Sequence, residues 1–241
     1  MDKELRKELQ RDEVGEAVQE ARGFLARPEV VKPVLIGIGL LLVLGGLYFG
    51  QKFRAASAES AFARAAEVFH ASVEEGSPAT PATPGVETFK TPADKYTKAK
   101  ALFDDVANRY SSMPAGKRAR YYGALCLLEM GQLTQAEELL KPIAAVRDPL
   151  ALEPAMARLR LAEIALQAGR PKDAAAAYKT LIEDEASGLP KDRLIFGLAE
   201  AHQAAGDSLA ARDAYNDLVN RHPQSPYAQD ARQKIDALAI L

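Results

Sequence analysis

The chain has 241 residues, a formal net charge of −2 and one cysteine. A near-neutral chain without a cluster of basic residues offers no positively charged surface for binding nucleic acid. A single cysteine cannot form an internal disulfide. Hydrophobic residues make up 48% of the chain and Trp is absent, and the abundance of Ala, Leu, Glu, Arg and Lys favours an all-α fold.

Residues 1–29 form a charge-dense tail. Within it Val14, Val18, Ala21 and Leu25 are spaced by 4, 3 and 4 residues, which is the spacing of one face of an amphipathic helix. Such a helix would lie near a membrane or dock on a partner protein. A frayed, solvated tail fits the same residues equally well.

An uncharged run of 18 residues begins at Pro33 and reads PVLIGIGLLLVLGGLYFG. As a helix it covers roughly 27 Å, about the hydrocarbon thickness of a bilayer. Lys32 lies before the run and Lys52 and Arg54 lie after it, where long cationic side chains reach the headgroups. We therefore predict a single transmembrane helix over residues 30–52. A buried core helix or a cleavable signal peptide is less favoured, because the other helices are amphipathic and 32 residues precede the run.

The charges around this segment do not set its orientation. Near the run each side carries three basic residues, which are Arg22, Arg27 and Lys32 before it and Lys52, Arg54 and Arg64 after it. The positive-inside rule therefore does not predict which end of the segment faces the cytoplasm.

After the transmembrane segment, Phe62, Ala66, Phe69 and Val73 fall on one helical face. We predict that the helix continues over residues 53–75. The stretch EEGSPATPATPGVETFKTP then brings repeated prolines, which predict a loop over residues 76–92.

From residue 93 onward the sequence repeats itself. Ala99, Ala136, Ala174 and Ala211 are separated by 37, 38 and 37 residues. Four residues after each alanine there is a large apolar residue: Phe103, Leu140, Tyr178 and Tyr215. Five residues before each of the last three alanines there is a glycine: Gly131, Gly169 and Gly206. A fixed period of this length indicates stacked helix pairs, none of which can bury its apolar face alone.

These residues carry a family resemblance. Together with Leu198, Ala199 and Pro223, the unit around Gly206 resembles a complete tetratricopeptide repeat, whereas the unit around Gly131 has Gly123 where a large apolar residue is usual. The closing RHPQSPYAQDARQKI resembles a terminal capping helix. The resemblance implies an α-solenoid of antiparallel helix pairs over residues 93–241.

The complete arrangement of tail, membrane helix and degenerate repeats resembles a narrower family. This is the group of ancillary SecYEG translocon subunits (YfgM-like), which shares its repeat domain with the cell-division coordinator CpoB. The resemblance implies a bacterial inner-membrane protein with a cytoplasmic N-terminus and a repeat domain that is periplasmic or otherwise extracytoplasmic.

The sequence offers no catalytic constellation. His70, His202 and His222 are far apart, and no phosphate loop or nucleophile elbow is present. Glu163 and Glu200 are better explained by repetition than as a catalytic pair, and Cys126 lies on an apolar helical stretch. We predict no enzymatic activity, no cofactor, no metal and no small-molecule substrate.

The predicted functional feature is a partner-binding groove formed by the first helix of each pair. Its apolar, aromatic and charged side chains suit a helical or extended peptide, although several of the apolar ones could equally belong to the core. Aligning the repeats on their glycines places twelve residues there: Arg118, Tyr121, Leu125, Leu128, Met156, Leu159, Glu163, Leu166, Arg193, Phe196, Glu200 and Gln203.

These features predict a membrane-anchored scaffold for protein–protein interactions. On the resemblance, its partners are translocon subunits, periplasmic chaperones or exported chains. A scaffold for cell-division or envelope-synthesis complexes is the alternative, and an enzyme with an unrecognised site is a third.

Overall fold

The structure is a computed structural model that describes residues 18–19, 23, 28–73, 88–148 and 151–239. The described residues divide into two compact units, one up to Ala56 and one from Ser57 onward. The tail helix predicted around Val14 and Leu25 and most of the predicted proline-rich loop lie outside the described residues.

Across the described ranges the structure is helical, with a single isolated bridge between Val73 and Phe89 and no longer strand. Nine α-helices and one 3-10 helix, Glu185–Ser187, are present in this part of the chain. The α-helices are α1 (Pro28–His70), α2 (Pro92–Arg109), α3 (Pro114–Glu129), α4 (Leu133–Ala144), α5 (Glu153–Gln167), α6 (Pro171–Glu183), α7 (Lys191–Ala204), α8 (Ser208–Arg221) and α9 (Ala228–Leu238).

The first unit contains the apolar part of α1. From Leu35 the helix is long and apolar enough to cross a membrane. Its large side chains are exposed, with Leu41 and Leu42 at 70% and 71% of their full accessible area.

The second unit is a stack of helix pairs. Each helix from α2 to α9 packs on its neighbours in the sequence, and α5 also contacts α3 and α7. Since short connections join these helices, neighbours run antiparallel. The fold is therefore a solenoid of the tetratricopeptide type, in which the first helices of successive pairs (α3, α5 and α7) lie side by side.

The repeated residues form the centre of this stack. Ala99, Ala136, Ala174 and Ala211 have no exposed surface, as expected of small side chains between closely packed helices. The large residues one turn later are also buried: Phe103, Leu140 and Tyr215 at 0% exposure and Tyr178 at 4%. Burying a side chain of this size stabilises the fold by roughly 1.5–3 kcal/mol.

The repeated glycines make the turns inside each pair. Gly131, Gly169 and Gly206 have φ angles of 71°, 72° and 79°, a left-handed conformation that glycine adopts without a Cβ clash. After each glycine, the next N–H bonds back to a carbonyl in the last helical turn, as from Asp207 N to His202 O at 3.0 Å. This is the Schellman closure of a helix end.

The pair that opens the second unit is made from two separated segments. Residues of α1 from Ser57 onward pack on α2, with Ala65 and Val68 buried against Phe103. Aromatic rings fill the space between them, and Phe69 lies 5.5 Å from Tyr96 and 6.2 Å from Phe103 between ring centroids. Thr91 caps the start of α2 by accepting a 3.1 Å hydrogen bond from Asp94 N.

Pro142 lies inside α4, which ends two residues later at Ala144. A proline has no N–H to bond to the preceding turn, so it is tolerated here because only a short end of the helix follows it.

Cys126 is expected to be unreactive in the folded chain. Its side chain is fully buried in the core formed by α1, α2 and α3, and burial raises the pKa of the thiol to about 12. Alkylation requires the thiolate, which is scarce at pH 8 and inaccessible in the folded chain. Cys126 should therefore be alkylated at pH 8 only when the chain unfolds. Labelling across a urea gradient, followed by mass spectrometry, measures this; rapid labelling without denaturant would contradict it.

Candidate functional site

A line of charged and aromatic side chains crosses the first helices of the repeats. On α5, Arg160 Nη1 donates to Glu163 Oε2 at 2.7 Å. The other oxygen of Glu163 accepts from Arg193 on α7, and Arg193 Nη1 donates to Tyr227 Oη at 3.0 Å. These contacts connect α5, α7 and the residue that precedes α9.

The protonation states along this line follow from these contacts. Burial lowers the pKa of Arg160, but the charge of Glu163 and the hydroxyl of Tyr121 outweigh it, so the net pKa is raised. Burial likewise lowers the pKa of Arg193, and Tyr227 and Glu163 reverse the effect. Both guanidinium groups are therefore charged and already occupied by neighbouring side chains.

A cavity of about 210 Å³ opens beside this line between α5, α6 and α7. Five of the predicted groove residues line it: Glu163, Leu166, Arg193, Phe196 and Glu200. The structure thus brings together five of the eight predicted residues of the last two repeats.

Glu200 differs from the other charged groups of the cavity. Its carboxylate is half-buried and makes no hydrogen bond or ion pair within the described part of the chain. Burial raises its pKa, and Lys234 on α9 opposes this more strongly than any other neighbour. The cavity therefore holds a carboxylate that no hydrogen bond or ion pair within the described residues engages directly.

The raised pKa predicts the sign of a pH effect on stability. Below the pKa of a glutamate in the unfolded chain, about 4.3, the carboxyl is protonated in both states and does not lower the free energy of unfolding. As the pH rises from there through the higher folded-state pKa, ionisation increasingly favours the unfolded state and the free energy of unfolding falls. Glu200→Gln should therefore match the wild type at pH 4 and be more stable at pH 7.5.

Urea denaturation at the two pH values measures this difference. Glu137→Gln is the control of opposite sign. Its carboxylate bonds to Lys141 at 3.0 Å and Arg170 at 2.8 Å, and these contacts hold its pKa below the usual range. The control should be less stable than the wild type at pH 7.5, and a Glu200→Gln variant that behaves in the same way would refute the prediction.

The remaining predicted groove residues lie in three kinds of surroundings. Arg118 pairs with Glu59 and covers the ring of Phe62 at 4.6 Å. Gln203 is exposed and its side-chain oxygen accepts from Tyr215 Oη at 3.1 Å. The apolar ones pack into the core, either buried or partly buried: Tyr121, Leu125, Leu128, Met156 and Leu159.

Tyr121 holds a polar atom in that core. Its hydroxyl is buried beside Arg160, and within the described part of the chain neither Tyr121 Oη nor Arg160 Nε has a hydrogen-bond partner. Burial raises the pKa of Tyr121, so the phenol stays neutral.

Four cavity residues were not among the predicted twelve: Gln167, Tyr178, Gly197 and Tyr227. Tyr178 and Tyr227 form aromatic walls, and Gly197 provides the space for one of them. A Cβ at Gly197 would overlap the ring of Tyr178, so this glycine lets the ring approach α7. Tyr178 was recognisable in the sequence as a repeated core residue, but nothing in the sequence indicated that its ring edge faces the cavity.

Known structures share this fold. Two crystal structures of a Podosopora anserina protein described as a kinesin light chain with nearly identical TPR-like repeats superpose with a TM-score of 0.51 at 16% identity. One of the two is a single-residue variant, and its alignment covers 60% of this chain and 77% of the other. The alignment with the second structure covers 62% and 87%.

No curated protein matches this sequence significantly. The family model described as a tetratricopeptide repeat-like domain, however, matches residues 33–239, which include the apolar part of α1 as well as every helix pair. The chain therefore belongs to the tetratricopeptide repeat-like domain family.

Proposed function

We propose that the chain is a membrane-anchored scaffold that displays a protein-binding solenoid beside an export machine. The main support for this proposal is that a helix with a continuous band of exposed apolar side chains, from Leu35 to Phe49, precedes a stack of tetratricopeptide-type helix pairs. Water-soluble proteins rarely expose a contiguous apolar surface of this extent, so a bilayer is the natural environment of this helix.

The second unit supports the binding half of the proposal. Stacked repeats present a continuous surface along their first helices, and proteins with this architecture use it to bind other proteins. Among the described residues, no group of three or more His, Cys, Asp or Glu side chains is placed to hold a metal ion. The cavity beside Glu200 instead offers shape, aromatic surface and charge, which are the features that recognise a peptide.

The process that we propose is protein export. The chain would be an ancillary subunit of the Sec translocon in a bacterial inner membrane, with its N-terminal tail in the cytoplasm and its helix pairs in the periplasm. Its partners would be translocon subunits, periplasmic chaperones or exported chains. The support for this assignment is the resemblance of architecture. The family match, which begins at Pro33, the first residue of the apolar run, supports the repeat-like domain.

Site-specific photocrosslinking of the full chain in bacterial cells tests this proposal. A photoreactive amino acid at Leu166, which lines the cavity, should give adducts that contain translocon or chaperone subunits. The matched control is Lys179, an exposed residue on the second helix of the same pair, which should give none. Adducts with division proteins instead would favour the division scaffold, and no adduct from Leu166 would reject a binding role for this groove.

A further inference from the structure

The cavity beside Glu200 has an uneven distribution of charge. Glu163 and Arg193, which lie on its wall, neutralise each other directly. Arg193 also donates to Tyr227 Oη at 3.0 Å, so each of its two terminal nitrogens already donates to a protein acceptor. Glu200 is left as the carboxylate without a partner among the described residues.

Aromatic rings line the same cavity as this carboxylate. Phe196 and Tyr227 are stacked with their centroids 5.0 Å apart and their planes at 26°. The ring of Tyr178 forms another wall, and its hydroxyl makes no hydrogen bond within the described ranges. Rings of this kind attract a cation through their negative faces.

The charged residues of α9 do not provide a direct partner for Glu200 within the described residues. Lys234 and Asp230 both act on Glu200 from that helix, with opposite signs. Neither forms an ion pair or hydrogen bond with it within the described residues, so neither occupies the carboxylate oxygens.

We infer that this cavity receives the lysine or arginine side chain of a peptide segment in the partner protein, with its cationic end at the Glu200 carboxylate. The inference deepens the proposed function and rests on it. An apolar side chain would bury the Glu200 charge without compensation, which is costly. An acidic side chain would meet Glu200 and an already occupied Arg193. A cationic side chain gains a charge-assisted hydrogen bond to Glu200, contact with the rings and an acceptor in the Tyr178 hydroxyl.

Peptide libraries test the inference on the full-length chain in mild detergent. Four libraries of 11-residue peptides share randomised flanks and differ at the central position, which is lysine, norleucine, arginine or citrulline. Norleucine and citrulline keep approximately the shape of the two basic side chains without their charge. The immobilised chain should retain the lysine and arginine libraries about tenfold better than their neutral counterparts, the factor that one charge-assisted hydrogen bond supplies.

The variants separate the site from general charge attraction. Glu200→Gln should abolish the preference for basic peptides. Glu138→Gln, which removes an exposed carboxylate from α4, should retain it, and circular dichroism of both variants verifies that they fold.

Each other outcome overturns the inference. Binding without a preference for basic residues, or a preference that survives Glu200→Gln, rejects the site but leaves the proposed scaffold standing. Failure of all four libraries to bind rejects both the site and a peptide-binding groove.

Discussion

Arginine at both Leu41 and Leu44 is expected to abolish stable insertion of α1 into a membrane. These two residues lie near the middle of the apolar run and are 70% and 54% exposed. An arginine at the centre of a membrane helix costs about 2.5–3.5 kcal/mol. Two of them cost about 5–7 kcal/mol, and the contributions of two leucines are lost as well.

Carbonate extraction of membranes measures the effect. The wild type should remain in the pellet and the double variant should move to the supernatant. The matched control places two arginines with the same spacing at Ser60 and Ala63, which are exposed residues later in α1, and it should stay in the pellet. Retention of the Leu41 and Leu44 variant would show that this segment does not hold the chain in the membrane.

The repeat architecture was predictable because it depends on local sequence features. An alanine at a close helix crossing, a large apolar residue one turn later and a glycine at a left-handed turn are each required by backbone geometry. The alanines with no exposed surface and the glycines with φ of 71° to 79° agree with that expectation. The apolar helix was predictable for the same reason, since length and hydropathy suffice to recognise it.

The membership of the binding surface was only partly predictable. Aligning repeats on their glycines identifies equivalent helix positions, but it treats every pair as if it had the same neighbours. Arg118 follows the pattern in sequence, yet it pairs with Glu59 on α1. Tyr121 and Leu159 are covered by neighbouring helices. Such differences depend on packing between pairs, which no single repeat encodes.

The cavity illustrates the same limit. In the glycine alignment Gly197 occupies the place that Arg160 takes in the preceding repeat and Tyr122 in the one before. The equivalent residues of the preceding second helices are Tyr178, Leu140 and Phe103. Because Gly197 has no Cβ, the ring of Tyr178 can pack against α7 and form part of the cavity wall. Tyr178 and Gly197 are 19 residues apart, so a repeat period of 37 or 38 residues does not reveal that they pack against each other.

The replacement Gly116→Ala is expected to lower the free energy of unfolding by about 3 kcal/mol, the upper part of the range for overpacking. Gly116 is buried in the first turn of α3, and a Cβ there would overlap the carbonyl oxygen of Tyr110 and lie 3.1 Å from Ser111 N. That carbonyl cannot easily move, because it accepts a 2.9 Å hydrogen bond from Met113 N. The added methyl group therefore forces the start of α3 away from the end of α2.

The same substitution at Gly123, seven residues later in the same helix, should have the opposite sign. A Cβ there would make ordinary contacts, 3.5 Å from Asp104 Oδ1 and 3.9 Å from Leu139 Cδ2. Alanine in a helix interior is favoured over glycine by roughly 0.5–1 kcal/mol, so Gly123→Ala should raise the free energy of unfolding. Urea denaturation followed by circular dichroism compares the two variants. Since helix propensity would favour alanine equally at both sites, equal effects would show that backbone contact with Tyr110 does not govern the packing of α3 on α2.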